Sequence, residues 1–460
     1  MSLEKEIRHA IRKIMAYDKN ATGTPTVVQE EIIAKVTAAI NNDTFHFENS
    51  TSLILNQDGK KRLVKQYDDT YSVEYILCQS IKQILDRTFK IRYPNRNKIT
   101  HKLFNTIQAT IQMSDFTIVK FDFKDYFNSV SSIYVFEKYL KHNLSDRREI
   151  DLIHSFVYST KYAYAGFCTS NAIAEIIASF FDEAVRQAFF SNGLIYYERY
   201  IDDSILILNE NMEETEVLEK LNSILSKIFY DETLNCLKCK TKFNNQKFKY
   251  ISRRKILEQN CSIDFLGYEF FLSSTTNKIE IKYGITENKR QKYENRIDKL
   301  ILASVEQTSP DVNNLELLRH RIAAFSSRTV YMTKYFRSNI WRVKGFIANY
   351  GELRYFLDTE LIEENTEKFL KNMIADAFKR TLSKEPYFLR SNTESECGYN
   401  LYNNMKKNKT LLLVDRIGYD YKSLVHLCNQ IGIQNTDLIG NRKGYGTLVR
   451  EYLIKVRVGY

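Results

Sequence analysis

Two apolar, aromatic-rich runs on either side of residues 200–203 are the clearest feature of the hydrophobic pattern. Residues 194–197 lead in, and residues 204–208 lead out. Both runs favour half-buried β-backbone, and the adjacent carboxylates between them suit a tight turn. The pattern therefore predicts a β-hairpin that carries Asp202 and Asp203 at one end of a buried sheet.

Residues 116–123, FTIVKFDF, are the next strongest strand signal, and Asp122 lies near their end. Beside Asp202 and Asp203, this residue would complete a cluster of three carboxylates. Like charges held that close repel one another unless a cation lies between them. Aspartate is also common in ordinary turns. Residues 67–69, Tyr-Asp-Asp, are similar to Tyr-Ile-Asp-Asp at 200–203. They follow basic residues, however, and are interpreted as an exposed loop or helix start.

Helical periodicity accounts for much of the remaining chain. Predicted helices lie over residues 1–20, 75–85, 145–190 and 211–230, and from 285 onward the chain looks almost wholly helical. Residues 236–243 are expected to form a basic strand or loop. Residues 264–271 are expected to form a strand or hairpin in which Gly267 allows a close approach.

Composition indicates a folded protein with polyanionic partners. Of the 460 residues, 43% are hydrophobic and 13% are aromatic, which argues against disorder. The net charge of +11 favours nucleic acid as a partner. Basic residues are concentrated between 289 and 344, where they predict a nucleic-acid cradle, although a solvated helix face would explain any few of them.

Seven scattered cysteines show no spacing typical of a disulfide framework, as expected in a reducing cytoplasm. Cys236, Cys239 and Cys261 could begin a zinc site, but no fourth ligand stands at a suitable spacing. No segment reaches the roughly 18 apolar residues of a membrane span, and the N-terminus lacks the apolar core of a signal peptide. We therefore expect a cytoplasmic protein without a membrane partner.

Five segments resemble palm motifs A to E of reverse transcriptases, in the order found in that family. They are residues 122–127, 166–175, 200–203, 240–241 and 265–268. One such motif alone would be weak, but five in the right order are highly specific. The resemblance covers about residues 90–285 and is followed by a thumb-like region.

The resemblance implies an α+β fold. Right-hand polymerase-like fingers and palm, built on an antiparallel sheet, would be followed by a helical thumb and a helical C-terminal domain. The implied bounds are 1–285 for fingers and palm, 286–350 for the helical thumb-like region and 351–460 for the helical C-terminal domain.

By the same resemblance, Asp122, Asp202 and Asp203 would hold two Mg²⁺ ions with help from the Phe123 carbonyl. Two divalent ions about 3.5–4 Å apart suit phosphoryl transfer. Carboxylate oxygens and substrate phosphates are the usual ligands of Mg²⁺. One ion would activate the attacking hydroxyl, and the other would steady the triphosphate.

Further matches concern the substrate. Lys240 corresponds to the motif D lysine, a proton donor to the leaving pyrophosphate or a charge partner for it. Lys238 is the alternative, two residues away. Phe127 falls where the family places an aromatic steric gate against ribonucleotides, so the product should be DNA; a core Phe at a helix start is the alternative. Gly166 stands in motif B and is expected to contact the substrate.

Two groups of residues are assigned to the fingers and to the primer. Arg96 and Lys98 could contact the triphosphate, although an edge strand with solvated charges would explain residues 89–98 equally well. The fifth motif-like segment resembles a primer-grip hairpin that steadies the 3′ end. Its residues are Phe265, Leu266, Gly267 and Tyr268.

Motif B departs from the usual Pro-Gln-Gly, because Tyr164-Ala165-Gly166 stands in its place. Residues 170–175, SNAIAE, instead resemble the Ser-x-x-x-Ala-Glu of bacterial abortive-infection and other defence-associated reverse transcriptases. That group includes members that make DNA without a template and prime from their own side chain. The implied function is a DNA polymerase of antiphage defence that uses dNTPs. Its implied partners are RNA or DNA, including a noncoding RNA, and a second copy bound through the C-terminal helices.

Two alternatives remain open. A retron- or group II intron-like reverse transcriptase would copy one dedicated RNA, but no clear Val-Thr-Gly, Asn-Ala-x-x-His or zinc-bearing endonuclease tail is evident. A non-catalytic palm would bind RNA only. The intact acidic trio argues against that alternative, because decay of this kind is expected to remove metal ligands.

Overall fold

The structure is a computed structural model that describes residues 3–17, 26–57, 60–276, 278–305, 312–335, 338–381, 399–411, 413, 419–437 and 440–456. The chain divides into two compact units, Met1–Lys255 and Ile256–Tyr460. Among the described residues, no helix has both the length and the apolar character needed to cross a membrane.

The first unit is mainly helical, with two small sheets. Its helices are α1 Leu3–Tyr17, α2 Thr26–Asn41, α3 Val73–Thr88, α4 Arg96–Thr110, α5 Tyr126–Ser129, α6 Ser132–Val135, α7 Arg147–Thr160, α8 Cys168–Phe190 and α9 Glu214–Phe229. Its strands are β1 Thr51–Gln57, β2 Lys60–Gln66, β3 Thr117–Asp122, β4 Leu194–Tyr200, β5 Asp203–Leu208 and β6 Lys249–Ser252. Short helix α10, Arg253–Glu258, contains the boundary between the units.

A four-stranded antiparallel sheet with strand order β4-β5-β3-β6 forms the centre of the first unit. All six residues of β3 are buried. β3 and β5 pair without a register shift from Thr117 opposite Leu208 to Asp122 opposite Asp203. The apolar and β-branched side chains of these two strands suit a pleated, buried surface.

Phe121 and Phe123 pack on the helical side of this sheet. The ring centroid of Phe181 on α8 lies 6.3 Å from that of Phe121 and 5.1 Å from that of Phe123, and α9 contributes Phe229 at 6.1 Å from Phe181. Burial of each ring stabilises the fold by about 1.5–3 kcal/mol. Because successive side chains along a strand point to opposite faces, Asp122 projects away from this aromatic core.

The hairpin β1–β2 forms a separate two-stranded sheet that is tied to the loop before α8. Lys65 N donates to Ala165 O over 2.8 Å. Gly166 has a φ of +107°, and a Cβ at this position would lie 2.2 Å from Lys65 O. Both the backbone conformation and the close approach of β2 therefore require glycine at position 166.

The second unit combines a three-stranded meander with helices. Its strands are β7 Cys261–Phe265, β8 Tyr268–Thr275, β9 Lys278–Ile285, β10 Thr329–Tyr335 and β11 Ser338–Lys344. Its helices are α11 Glu287–Val305, α12 Val312–Phe325, α13 Phe346–Tyr350, α14 Glu364–Thr381, α15 Leu401–Lys406, α16 Tyr421–Gln430 and α17 Tyr445–Val456. β7, β8 and β9 pair antiparallel in that order, and β10 pairs with β11.

The structure confirms a mixed α+β fold with antiparallel sheets, and it differs from the sequence analysis at two places. Residues 286–350 are not wholly helical, because they contain the hairpin β10–β11, whose sequence is rich in β-branched and aromatic residues. Residues 89–98 do not form an edge strand. Asn95 caps α4 by accepting hydrogen bonds from the backbone N–H groups of Asn97 and Lys98.

Replacing Gly166 by alanine should loosen the attachment of β2. The strain of the left-handed backbone and the contact with Lys65 O should lower the stability of this region by about 1–3 kcal/mol. Hydrogen–deuterium exchange in peptides covering 60–66 should then be about tenfold faster or more. Gly351→Ala is the control, because a Cβ there meets no atom within 4 Å. Equal exchange in β2 for wild type and Gly166→Ala would contradict this account.

Candidate active site

Two of the predicted cluster's carboxylates lie on neighbouring strands. Asp122 and Asp203 are direct register partners across β3 and β5. Side chains that stand opposite each other in an antiparallel pair share a face, with Cβ atoms about 4.5–5.5 Å apart. Asp122 is only 2% exposed, so its charge interacts with its neighbours with little screening by water.

Asp202 lies in the tight turn between β4 and β5. Ile201 in the same turn has a φ of +63°, a costly conformation for a β-branched residue. The turn is held against the end of β3, because Phe123 N donates to Asp202 O over 3.1 Å. As the sequence predicts, the hairpin brings both of its carboxylates to one end of the sheet.

Arg199 anchors this turn to α8. Its buried guanidinium donates to Glu175 Oε1 at 2.8 Å and to Asp182 Oδ2 at 2.9 Å. The same guanidinium donates to the carbonyl of Ile201 at 2.8 Å. Burial alone would lower the pKa of Arg199, but the charges of Asp182 and Glu175 raise it above its ordinary value. Arg199 is thus charged, and it fixes the backbone that carries Asp202.

Asp202 is held in an environment that disfavours its charge. Burial raises the pKa of Asp202 above its ordinary value, and the negative charge of Asp122 raises it further. The positive charges of Lys247 and Arg62 act in the opposite direction. Asp122 and Asp202 are therefore close enough to repel each other, as the ligands of a shared cation should.

Lys247 is a cation that all three carboxylates share. Its Nζ lies 2.5 Å from Asp122 Oδ2. Burial lowers the pKa of Lys247, but the hydrogen bond to Asp122 and the charges of Asp122, Asp202 and Asp203 raise it, so that the pKa lies above its ordinary value. The three distant acidic positions thus converge within electrostatic reach of one ammonium group.

A second lysine faces Asp203 from inside the sheet. Lys120 Nζ lies 3.7 Å from Asp203 Oδ1, and both side chains are largely withdrawn from solvent. Lys120 precedes Asp122 by two residues on β3, so the two side chains share a face of the sheet. The cluster therefore combines three carboxylates with two lysines.

A cavity of about 940 Å³ opens over Asp122 and Asp202. This volume lies in the range of sites for small molecules of nucleotide size. Cationic side chains line much of its wall, namely Lys61, Arg62, Lys124, Lys242 and Lys247. Such a wall around two carboxylates suits an anionic ligand that binds together with metal ions.

The donor atoms of the site have the chemistry that Mg²⁺ prefers, because they are hard carboxylate oxygens with a backbone carbonyl nearby. Within the described part of the chain, however, no three His, Cys, Asp or Glu side chains form a group ready to hold a metal ion. Asp122 Oδ2 is held by Lys247, and Asp203 Oδ1 faces Lys120. Metal binding would require Lys247 to move away from Asp122.

The two phenylalanines that were predicted to serve the substrate or the metal ions, Phe127 and Phe123, have different surroundings. Phe127 is half-buried on α5 and lines the cavity. The ring of Phe123 belongs to the core, with its centroid 4.9 Å from that of Tyr126 and 5.5 Å from that of Phe243. The ring of Phe123 is therefore committed to the core, and a role for its backbone carbonyl in binding a ligand stays a prediction.

The lysines matched to motif D do not line the cavity. Lys240 is exposed, with Nζ 4.8 Å from the ring centroid of Tyr162. Lys238 donates to the carbonyls of Asp231 and Leu234. A role for either lysine in catalysis stays a prediction.

Three other predicted substrate residues also lie outside the cavity wall. Arg96 and Lys98 belong to the first turn of α4, and Gly166 lies next to Ala165, which does line the cavity. The proposed primer-grip residues form a tight hairpin turn in the second unit, with positive φ at Leu266 and Gly267. Their roles in substrate and primer binding stay predictions.

Sequence reasoning missed Lys247, Arg62 and Arg199. A signal existed for Arg199, because a charged residue inside an apolar strand needs buried partners. Glu175 and Asp182 are seven residues apart and hence on one face of a helix. Lys247 had no such signal, since it is one of several lysines between 238 and 249.

Comparisons with known proteins give limited similarity. No family model matches the chain, and no curated protein matches it. Among solved structures, telomerase from Candida tropicalis in complex with a fragment of telomeric RNA has a TM-score of 0.36 at 11% identity, covering 81% of this chain and 68% of its own. The corresponding complex from Candida albicans has a TM-score of 0.34 at 13% identity, covering 78% and 69%. Similarity at this level does not establish a shared function.

Replacing Arg199 by methionine should strongly destabilise the first unit. Glu175 and Asp182 would lose their buried cation, which should lower the free energy of unfolding by about 3–5 kcal/mol. Arg186→Met is the matched control, because Arg186 is an exposed arginine on α8 that donates to the carbonyl of Tyr197, on the strand that carries Arg199. Its effect should stay within about 1 kcal/mol. Urea denaturation followed by circular dichroism would measure both, and equal losses would contradict the assigned role.

Replacing Asp202 by asparagine should stabilise the fold at pH 7 in EDTA. The folded-state pKa of Asp202 lies above its ordinary value of 3.8, so the cost of ionising Asp202 in the fold develops as the pH rises above about 3.8 and is complete above the folded-state pKa. The gain should therefore shrink as the pH falls and vanish below about pH 4, where Asp202 is protonated in both states.

Asp122→Asn is the control for this prediction, because it removes the ion pair with Lys247 and should give no such gain. Denaturation curves at several pH values would measure both variants. A gain for Asp202→Asn that does not change with pH would contradict the prediction.

Proposed function

We propose that the chain is a metal-dependent nucleotidyltransferase of the reverse-transcriptase type, which builds DNA from dNTPs. The convergence of Asp122, Asp202 and Asp203 at one end of the sheet, at the edge of a basic cavity, is the observation that carries this proposal. The order of the five motif-like segments supports it independently.

Asp122 and Asp202, with the Phe123 carbonyl and the neighbouring Asp203, would hold two Mg²⁺ ions. When bound, such ions activate a hydroxyl nucleophile and stabilise the charge of the leaving pyrophosphate. The cations of the cavity wall, among them Lys61, Arg62 and Lys124, would bind and orient the triphosphate. Arg199 would keep the turn with Asp202 in place throughout.

Phe127 would select the sugar. Its half-buried ring lies at the cavity wall, where it could exclude a 2′-hydroxyl by contact. A hydrophobic pocket rejects an isostere that adds one hydroxyl by about a hundredfold at most. DNA is therefore the proposed product.

The proposed role in antiphage defence rests on the resemblance of residues 170–175. The absence of the usual motif B glutamine supports synthesis with little or no template. The resemblance to the abortive-infection group supports the protein itself as primer. Glu175 has a structural role beside this resemblance, because it pairs with Arg199. A retron- or intron-like enzyme would instead carry its dedicated RNA, which sequencing of copurified nucleic acid would reveal.

A palm that binds RNA without catalysis is the second candidate. The contact between Lys247 and Asp122 favours it, because this ion pair uses a carboxylate oxygen that a metal ion would need. The basic cavity wall would then contact phosphates of the RNA backbone.

A polymerisation assay separates the two candidates. Purified full-length chain with Mg²⁺ and labelled dNTPs should form polymer, and Asp202→Asn should reduce the rate at least about a hundredfold, because the metal ions lose a ligand. Labelled rNTPs should be used about tenfold less well or worse. Asp69→Asn is the matched control, since Asp69 is an exposed aspartate of the Tyr-Asp-Asp at residues 67–69, and it should retain full activity. Polymer formation that survives Asp202→Asn would overturn the proposed function.

A further inference from the structure

We propose that Lys247 is an internal counter-ion, which holds Asp122 until a divalent cation displaces it and thereby sets the metal affinity of the site. This inference rests on the proposed function, because it concerns the same three carboxylates. It assigns a role to a residue outside the five motif-like segments.

One short segment holds both carboxylate oxygens of Asp122. Lys247 Nζ donates to Oδ2 over 2.5 Å, and Asn244 Nδ2 donates to Oδ1 over 3.5 Å. Asp122 is buried, so water cannot easily replace these donors. A metal ion that approaches Asp122 must therefore compete with protein groups.

The backbone of this segment is fixed, whereas the lysine side chain has room to move. Asn244 N donates to Asp122 O over 2.8 Å, and Lys124 N donates to Lys242 O over 2.8 Å, so the segment extends the sheet beside β3. The 3₁₀ turn Asn245–Lys247 leads directly into β6. The Lys247 side chain is 41% exposed and lines the cavity. Rotation of the side chain alone can withdraw the ammonium group from Asp122.

A metal ion that binds to Asp122 has to replace the Lys247 ammonium group there. The charges of Asp122, Asp202 and Asp203 all act on the Lys247 ammonium. A divalent cation at Asp122 would stand within a few ångströms of that ammonium and repel it, because like charges interact strongly where water screens them poorly. The affinity of the site for a divalent cation is therefore expected to be lower than that of the same three carboxylates without Lys247.

Calorimetric titration of the full-length protein with Mg²⁺, in the absence of nucleotide, tests this role without measuring catalysis. Lys247→Met should bind Mg²⁺ about tenfold more tightly than wild type, because the competing charge is gone. Lys247→Arg keeps the charge and should stay within about twofold of wild type. Lys242→Met is the matched control, because Lys242 lines the same cavity and makes no ion pair among the described residues. It should also stay within about twofold.

Unchanged or weaker binding by Lys247→Met overturns the inference. Equal tightening by Lys242→Met also overturns it, since a general effect of charge would then suffice. Titration of Asp202→Asn separates this failure from failure of the proposed function. Binding that depends on Asp202 but is equal in wild type and Lys247→Met removes only the role of Lys247. An absence of binding in every variant removes the metal site itself.

Discussion

The fold of the first unit has to offset the mutual repulsion of three carboxylates. Asp122, Asp202 and Asp203 come from positions far apart in sequence, and each is withdrawn at least in part from water. Such a group is stable only when cations lie among its members. Lys247 and Lys120 supply that charge within the protein. Burial and, in addition, the negative charge of Asp122 raise the pKa of Asp202 although Lys247 and Arg62 act against them, so part of the repulsion remains. The remaining negative potential is what would attract a divalent ion.

A second set of charges controls geometry and not ligand binding. Arg199 connects Glu175 and Asp182 on α8 with the carbonyl of Ile201, so one buried guanidinium fixes a helix and a strained turn together. Charge-assisted hydrogen bonds of this kind are short and directional. The two sets of charges are thus divided by task. Asp122, Asp202 and Lys247 line the cavity, whereas Arg199 is buried among its carboxylate and carbonyl partners.

The sequence alone could predict those parts of the fold and the candidate site that depend on local patterns. The hairpin around residues 200–203, the strand ending at Asp122 and their convergence follow from apolar runs and turn chemistry. The role of Lys247 could not be foreseen, because it depends on a segment whose backbone pairs with the end of β3 through contacts that leave no periodic signal. The edge strand that was one interpretation of residues 89–98 is absent for a related reason. The alternation of basic and apolar residues suggested a strand, but the cap at Asn95 begins a helix there.

Asp122 stands between Phe121 and Phe123, whose rings are fixed in the aromatic core around Phe181. Close-packed interiors transmit small changes of volume because they contain few voids. The position of the Asp122 carboxylate is therefore fixed by the packing of the two neighbouring rings. A substitution at Phe181, which packs on the face of the sheet opposite to Asp122, would therefore shift the position of the Asp122 carboxylate. The substitutions that this aromatic core can accept are therefore limited by the position that the Asp122 carboxylate must keep, as well as by the stability of the fold.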